Sequence, residues 1–218
     1  MECVLEKSLS RRDFIRWAVS SLILAPASAA PIPSAIARWN DATVADQCDL
    51  LFGDHLPYGT KKVVSEATSN VYTAIFETEV REEGHLPYIR RWFCLACEIN
   101  PGKFAVQTSD SILTESTRFH PVEVSVSILD TGEVEVLQQG LRWSTTERWR
   151  RQGDIWQLSK SMSAGVSGGT LYLEEYDQFR QELVASHGRI EDDHFLSIER
   201  RTISKIFALG EYTRSSLA

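Results

Sequence analysis

Residues 122–137 read VEVSVSILDTGEVEVL, and they carry the clearest fold signal in the chain. From Val122 to Ile128, aliphatic residues alternate with polar ones, which is the pattern of a strand with one buried face. Asp130–Gly132 is a turn signal, and an apolar segment from Val134 to Leu137 follows it. Because so short a connection cannot cross over a sheet, we expect these two strands to pair antiparallel.

The same pattern extends to both sides of this hairpin. Upstream, Tyr88–Ile99 alternates, and Pro101–Gly102 marks a turn before the apolar run 104–106. Downstream, residues 141–149 and 155–162 are strand-like and are separated by a short turn. The sequence therefore predicts an antiparallel β-meander of about five to seven strands.

Helices are expected before and after this meander. Asp41–Phe52 has a capping residue and an apolar face, and Gly53 follows it. Residues 63–80 fit either a helix or an alternating strand, and we prefer the helix. Thr170 resembles an N-cap before a helix that ends at Gly188, with one apolar face formed by Leu173, Tyr176, Phe179, Leu183 and Val184. Asp193 resembles the N-cap of a second such helix, ended by Gly210. The predicted fold class is therefore α+β, with the C-terminal helices packed on one face of the sheet.

The N-terminus carries the pattern of a bacterial export signal. Its distinctive residues are Ser10, Arg11, Arg12, Phe14, Ile15 and Arg16, followed by the apolar stretch WAVSSLILA over residues 17–25. This pattern resembles the twin-arginine (Tat) signal. Ala27 and Ala29 form an A-x-A cleavage site, and a second such site ends at Ala37. Two alternatives remain, an ordinary Sec signal and an uncleaved membrane anchor over the uncharged residues 17–37.

The resemblance implies a destination and a partner. A Tat signal would be handled by the Tat translocase, which carries proteins that have already folded, and would deliver this chain to the periplasm. The domains are then a signal peptide over 1–29, a leader over 30–40 and one globular domain over 41–218. The mature form is not expected to be membrane-anchored. An uncleaved signal would instead hold it at the inner membrane.

The charge of the chain excludes one class of partner. It has 23 Lys and Arg against 30 Asp and Glu, a formal net charge of −7. Nonspecific nucleic-acid binding depends on a cationic surface, so we expect no DNA or RNA partner.

Three cysteines lie beyond the signal, at Cys48, Cys94 and Cys97. In an oxidising periplasm, Cys48 could bridge to either of the other two. The C-x-x-C spacing is typical of redox and zinc sites, but here it falls in a strand-like run, where residues three apart face opposite sides. The histidines form no pair and no second C-x-x-C exists, so no metal site is predicted. The cofactor stays unknown.

Residues 165–169, GVSGG, suggest one possible chemistry. They match the G-x-S-x-G nucleophile elbow of α/β-hydrolases and resemble the serine loop of trypsin-like proteases. A hydrolase would use Ser167 as nucleophile with His187 or His194 as base and Asp192 as orienting acid. The alternatives are an anion-binding helix N-terminus and, preferred here, a plain flexible loop.

A second group of residues suggests binding. Aromatic and cationic side chains alternate near one predicted hairpin, and such sets stack on sugars or bind anionic polymers. The set comprises Trp143, Trp149, Trp156, Arg148, Arg150 and Arg151. In the alternative, which we prefer, the tryptophans are core and the arginines are a solvated face.

These observations predict an exported periplasmic protein that acts as a non-catalytic binding or envelope-accessory domain, with its ligand undetermined. The first alternative is the serine-dependent hydrolase built on Ser167. The second is a Tat passenger loaded with a cofactor or metal.

Overall fold

The computed structural model describes residues 41–68, 70–100, 103–189, 195–213 and 217. The predicted signal peptide and leader lie outside these residues. Across the described ranges the chain forms twelve strands and one α-helix, so the architecture is mainly β rather than α+β. No helix within those ranges has the length and apolar character needed to cross a membrane.

The N-terminal half builds a helix and a five-stranded antiparallel sheet. The predicted helix is present as α1, Asp41–Phe52, and a 3-10 turn at Gly53–His55 follows it. The sheet has the order β1-β2-β3-β4, with the short β5 paired to β3. Its strands are β1 Lys61–Ala67, β2 Val71–Val80, β3 Tyr88–Asn100, β4 Lys103–Ser109 and β5 Ser116–Thr117.

The C-terminal half is a seven-stranded antiparallel meander in which every strand pairs with its sequence neighbours. The hairpin predicted over residues 122–137 is confirmed, with Val126 opposite Val136. The strands are β6 Glu123–Ile128, β7 Val134–Gln139, β8 Trp143–Gln152, β9 Ile155–Ser167, β10 Thr170–Asp177, β11 Glu182–Arg189 and β12 Ser197–Thr202. The sequence predicted one sheet of about five to seven strands, whereas the described residues form two sheets with twelve strands in total.

The main core lies between the two sheets. We call the faces that meet there the inner faces, and the faces that point away the outer faces. Ile75 and Phe93 of the first sheet and Val136 and Trp149 of the second belong to this one buried cluster. The chain after β12 closes the core, because Phe207 accepts a hydrogen bond from the backbone N–H of Leu158 at 2.9 Å.

A second layer covers the outer face of the five-stranded sheet. Cys48 and Phe52 of α1 pack on Ala74, Phe76 and their neighbours in a separate buried cluster. The Phe52 and Phe76 rings meet edge to face with centroids 6.1 Å apart. The middle of this sheet is therefore buried on both faces.

The helix predicted over residues 63–80 is wrong, because β1 and β2 occupy this range. Residues 71–76 are all buried, since α1 covers one face of β2 and the second sheet covers the other. Burial on both faces removes the polar–apolar alternation by which a strand is recognised.

The two C-terminal helices are also wrong, because this region forms β10, β11 and β12. Tyr176 faces the main core, whereas Leu171 and Leu173 face outward into a small third cluster with Ala164. Residues three apart on a strand lie on opposite faces, so the helix-like spacing of Leu173 and Tyr176 reflects two separate burial sites. Asp193, the expected second N-cap, lies outside the described residues.

Candidate functional site

The tryptophans of the predicted binding group are mostly core residues. Trp149 and Trp156 are fully buried. The Trp149 ring lies between Phe93 and Tyr212, at centroid distances of 6.4 and 5.5 Å. Trp143 is half-buried, and its indole lies so close over Gly140 that a Cβ there would overlap it. Trp149 and Trp156 are thus inaccessible to a ligand.

The three arginines of this group have different surroundings. The guanidinium of Arg148 donates to a carboxylate oxygen of Glu135 at 2.7 Å. That of Arg151 donates to the carbonyl of Gly153 at 2.7 Å. Arg150 is exposed, and its guanidinium carbon lies 5.0 Å from the ring centroid of Phe179. Of the predicted group, Arg150 is the residue placed to meet a ligand.

The turn between β10 and β11 fixes the backbone at Phe179 and leaves its side chain exposed. A carboxylate oxygen of Asp177 accepts hydrogen bonds from the backbone N–H groups of Phe179 at 2.9 Å and Arg180 at 3.2 Å. Gln181 completes the turn with a φ of 51°, in the left-handed region. An aspartate that binds the backbone two residues ahead is a rigid turn device. The ring is 66% exposed despite this order.

Two exposed isoleucines lie in the chain segments next to Arg150, one in β9 and one just before the bridge at Ala208. Gln157 pairs with Arg150 on one side and with Ala208 on the other, which places the three on the outer face. Ile155 and Ile206, each two residues from a member of this row, are 46% and 51% exposed. We call the surface formed by Arg150, Ile155, Phe179, Arg180 and Ile206 the hairpin-end patch.

The hairpin-end patch also has excess positive charge. Elsewhere on this outer face, cations lie beside carboxylates, as in Lys160–Asp177 at 3.4 Å and Arg200–Glu182 at 3.0 Å. Among the described residues, no carboxylate oxygen lies within 4.0 Å of the side-chain nitrogens of Arg150 or Arg180. In a chain of net charge −7 this is a local cationic, partly apolar surface.

The GVSGG segment is a hairpin turn and not a strand-to-helix elbow. Ser167 ends β9 and pairs with Thr170, while Gly168 and Gly169 have φ values of 57° and 83°. Two residues of positive φ are what a type I′ hairpin turn requires, and glycine adopts them without strain. The helix that must follow the serine in a nucleophile elbow is therefore absent, because β10 follows the turn.

The proposed partners of Ser167 are not assembled in the described residues. His187 of β11 pairs with Tyr172 of β10, which in turn pairs with Gly165 of β9. His187 is therefore two strands away from Ser167 and offset from it by two residues. Strand geometry puts the Cα atoms of Ser167 and His187 about 12 Å apart. A base must approach a serine hydroxyl to about 3 Å. Asp192 and His194 lie outside the described residues.

Cys48, Cys94 and Cys97 are buried, free thiols. Cys48 and Cys94 lie in the cluster under α1, whereas Cys97 lies in the main core. Burial raises the pKa of Cys48 to about 11, and burial also raises the pKa of Cys94 and of Cys97. At neutral pH these groups are thiols, which are poor nucleophiles and metal ligands. Within the described ranges, no group of three or more His, Cys, Asp and Glu side chains is arranged to hold a metal ion.

Sequence reasoning missed most of the hairpin-end patch. It assigned Phe179 to the buried face of a helix, and it gave no role to Ile155, Arg180 or Ile206. One usable signal was present, because Asp177 two residues before Phe179 is a turn signature.

Comparison with protein-family models, with curated proteins and with solved structures found no match to this chain.

Proposed function

We propose that this protein is exported to the periplasm by its twin-arginine signal and acts there as a non-catalytic binding domain. Residues 10–16, SRRDFIR, support the route. One observation carries the activity: Phe179 is held in solvent by a fixed turn, with the Arg150 guanidinium over its ring.

The chemistry of the hairpin-end patch favours an anionic polymer of the cell envelope as ligand. A guanidinium that stacks on a ring keeps the N–H groups at its own edge free, and two of them can bind one carboxylate or phosphate together. The exposed ring offers a flat apolar surface to the body of the same ligand. Because the turn already fixes the backbone at Phe179, binding there requires no backbone ordering.

Export is tested by fractionating cells that express the full chain or a variant with Arg11→Lys and Arg12→Lys. We expect the unchanged chain in the periplasm, with a new N-terminus after Ala29 or Ala37, and the variant in the cytoplasm. Export and cleavage of both forms would instead indicate an ordinary Sec signal. Retention of the intact chain in the inner membrane would indicate an anchor.

Binding is tested by sedimenting the purified protein with isolated peptidoglycan sacculi, which carry carboxylates. We expect co-sedimentation that weakens with added salt, because salt screens exposed charges. The double variant Arg150→Gln, Phe179→Ala should lose it.

The matched control is Arg148→Gln, two residues away on the same strand and face but paired with Glu135. This variant should still sediment. Equal retention of the double variant and the unchanged protein would show that the hairpin-end patch is not the binding surface. No sedimentation of the unchanged protein would exclude sacculi as the ligand.

A further inference from the structure

Cys94 and Cys97 lie on one strand but belong to two different cores. Both are in β3, where Cys94 faces the cluster under α1 and Cys97 faces the core between the sheets. A strand advances about 3.3 Å per residue, so their Cα atoms are roughly 10 Å apart and their side chains point opposite ways. A disulfide needs Cα atoms about 4.4–6.8 Å apart. These two cysteines cannot be bridged while β3 is a strand.

The unfolded chain places no such limit on them. Only Leu95 and Ala96 separate the two thiols, whereas Cys48 is 94 − 48 = 46 positions from the nearer one. Loop closure therefore favours the Cys94–Cys97 bridge over any bridge to Cys48. The reaction is thiol–disulfide exchange with a disulfide oxidant. The two thiols lose two protons and two electrons and form one S–S bond, and the S–S bond of the oxidant becomes two thiols.

A Cys94–Cys97 bridge would disrupt the pairing of β3 with its neighbouring strands. β3 is the central strand that pairs with both β2 and β4, with Cys94 opposite Ala74 and Thr108. Cys97 is likewise opposite Val71 and Ala105. A bent β3 would therefore break both ladders and separate the two clusters that it joins.

We propose that the Cys94–Cys97 bridge is a folding trap, and that this chain must complete β3 before it meets an oxidising compartment. Once β3 is formed, both side chains are fully buried, so an external oxidant has no access to them. The trap follows from the fold alone. Its consequence in cells rests on the export proposed above, and it gives a physical reason for a route that carries folded proteins.

Refolding tests the trap directly. The purified protein is reduced and unfolded, then diluted into buffer with either reduced or oxidised glutathione. We expect native protein in the first case and a several-fold lower native yield in the second, with peptide mapping that identifies a Cys94–Cys97 bridge. The folded protein in the same oxidised buffer should keep Cys48, Cys94 and Cys97 as thiols.

Two alanine variants separate the trap from general sensitivity to oxidation. Cys97→Ala removes one partner and should restore the yield in oxidised buffer. Cys48→Ala removes an equally buried cysteine and should not. Equal native yields of the unchanged protein in the two buffers would overturn the trap, as would a dominant bridge to Cys48. Neither result would bear on export, which the paired Arg→Lys variant decides.

In cells, the signal can be replaced by one that exports unfolded chains. We expect the rerouted protein to fail to accumulate, and its Cys97→Ala variant to accumulate. Native three-thiol protein from the rerouted chain would show that folding before export is not required.

Discussion

The two sheets of this protein differ in how many of their faces are covered. In the five-stranded sheet, Cys94 lies under α1 and its neighbour Phe93 lies in the main core, so both faces are buried. In the seven-stranded sheet, Trp149 faces the core while Arg148 and Arg150 point outward. The middle of the first sheet is therefore closed to ligands, whereas the outer face of the second sheet exposes side chains such as Arg150.

The largest expected effect is on the doubly covered sheet. Phe76 is almost completely buried on its outer face and packs against Phe52 of α1. Phe76→Ala should lower the free energy of unfolding by about 3–5 kcal/mol, the usual range for a buried phenylalanine. Urea unfolding followed by tryptophan fluorescence measures it. A loss below about 1 kcal/mol would mean that α1 does not bury this face tightly.

The inner face of the second sheet allows a smaller test. Gly165 lies under the phenol ring of Tyr172, and a Cβ at Gly165 would overlap that ring and come within 2.9 Å of the Arg142 carbonyl. Gly165→Ala should cost about 1–3 kcal/mol, as overpacking does. The control is Gly210→Ala, because nothing lies within 4 Å of a Cβ there. Equal unfolding midpoints for the two variants would contradict this packing.

The difference between the sheets also explains which elements the sequence predicted. Alternation identified the hairpin of β6 and β7, whose inner residues Val134 and Val136 are buried beside half-buried neighbours. It was absent in β2, since both faces of residues 71–76 are buried. In β10, Leu173 and Tyr176 are buried on opposite faces, and their three-residue spacing was mistaken for one face of a helix. Polar–apolar alternation identifies a strand that is buried on one face, and it disappears when both faces are buried.

The candidate site was predictable only in part. Arg150 was in the predicted group because sequence alone places it near tryptophans. The aromatic partner came from a different hairpin, and Phe179 contacts Arg150 only through the pairing of β9 with β10. A contact that depends on the register of several strands cannot be read from local spacing.

The contact between the two sheets gives a pH-dependent prediction. A carboxylate oxygen of Glu66 in β1 accepts a hydrogen bond from the backbone N–H of Ile128 in β6 at 2.8 Å. Burial raises the pKa of Glu66, and the hydrogen bond only partly opposes it. The folded state then holds this proton more tightly than the unfolded state. This group's contribution to stability is therefore greatest below the unfolded pKa, about 4.3, and is lost as pH rises through the folded value.

Glu66→Gln removes the charge and keeps an oxygen that can accept the same hydrogen bond. We expect the variant to be more stable than the unchanged protein at pH 7, with the gain shrinking toward pH 4. Thermal unfolding across this pH range measures it. A variant that is less stable at pH 7 would show that the negative charge itself stabilises the seam between the sheets.

The smallest expected effect repeats the first substitution on the singly covered sheet. Phe76 and Phe179 are both phenylalanines on the outer side of a sheet, but Phe76 is 4% exposed and Phe179 is 66% exposed. Phe179→Ala should change the free energy of unfolding by no more than about 0.5 kcal/mol, as is usual for exposed positions. The same urea experiment measures both variants. A loss near that of Phe76→Ala would make the ring part of the packing, and its exposure beside Arg150 would then no longer argue for binding. A negligible loss is the result that the binding proposal expects, because an exposed ring that contacts a ligand is not needed for packing.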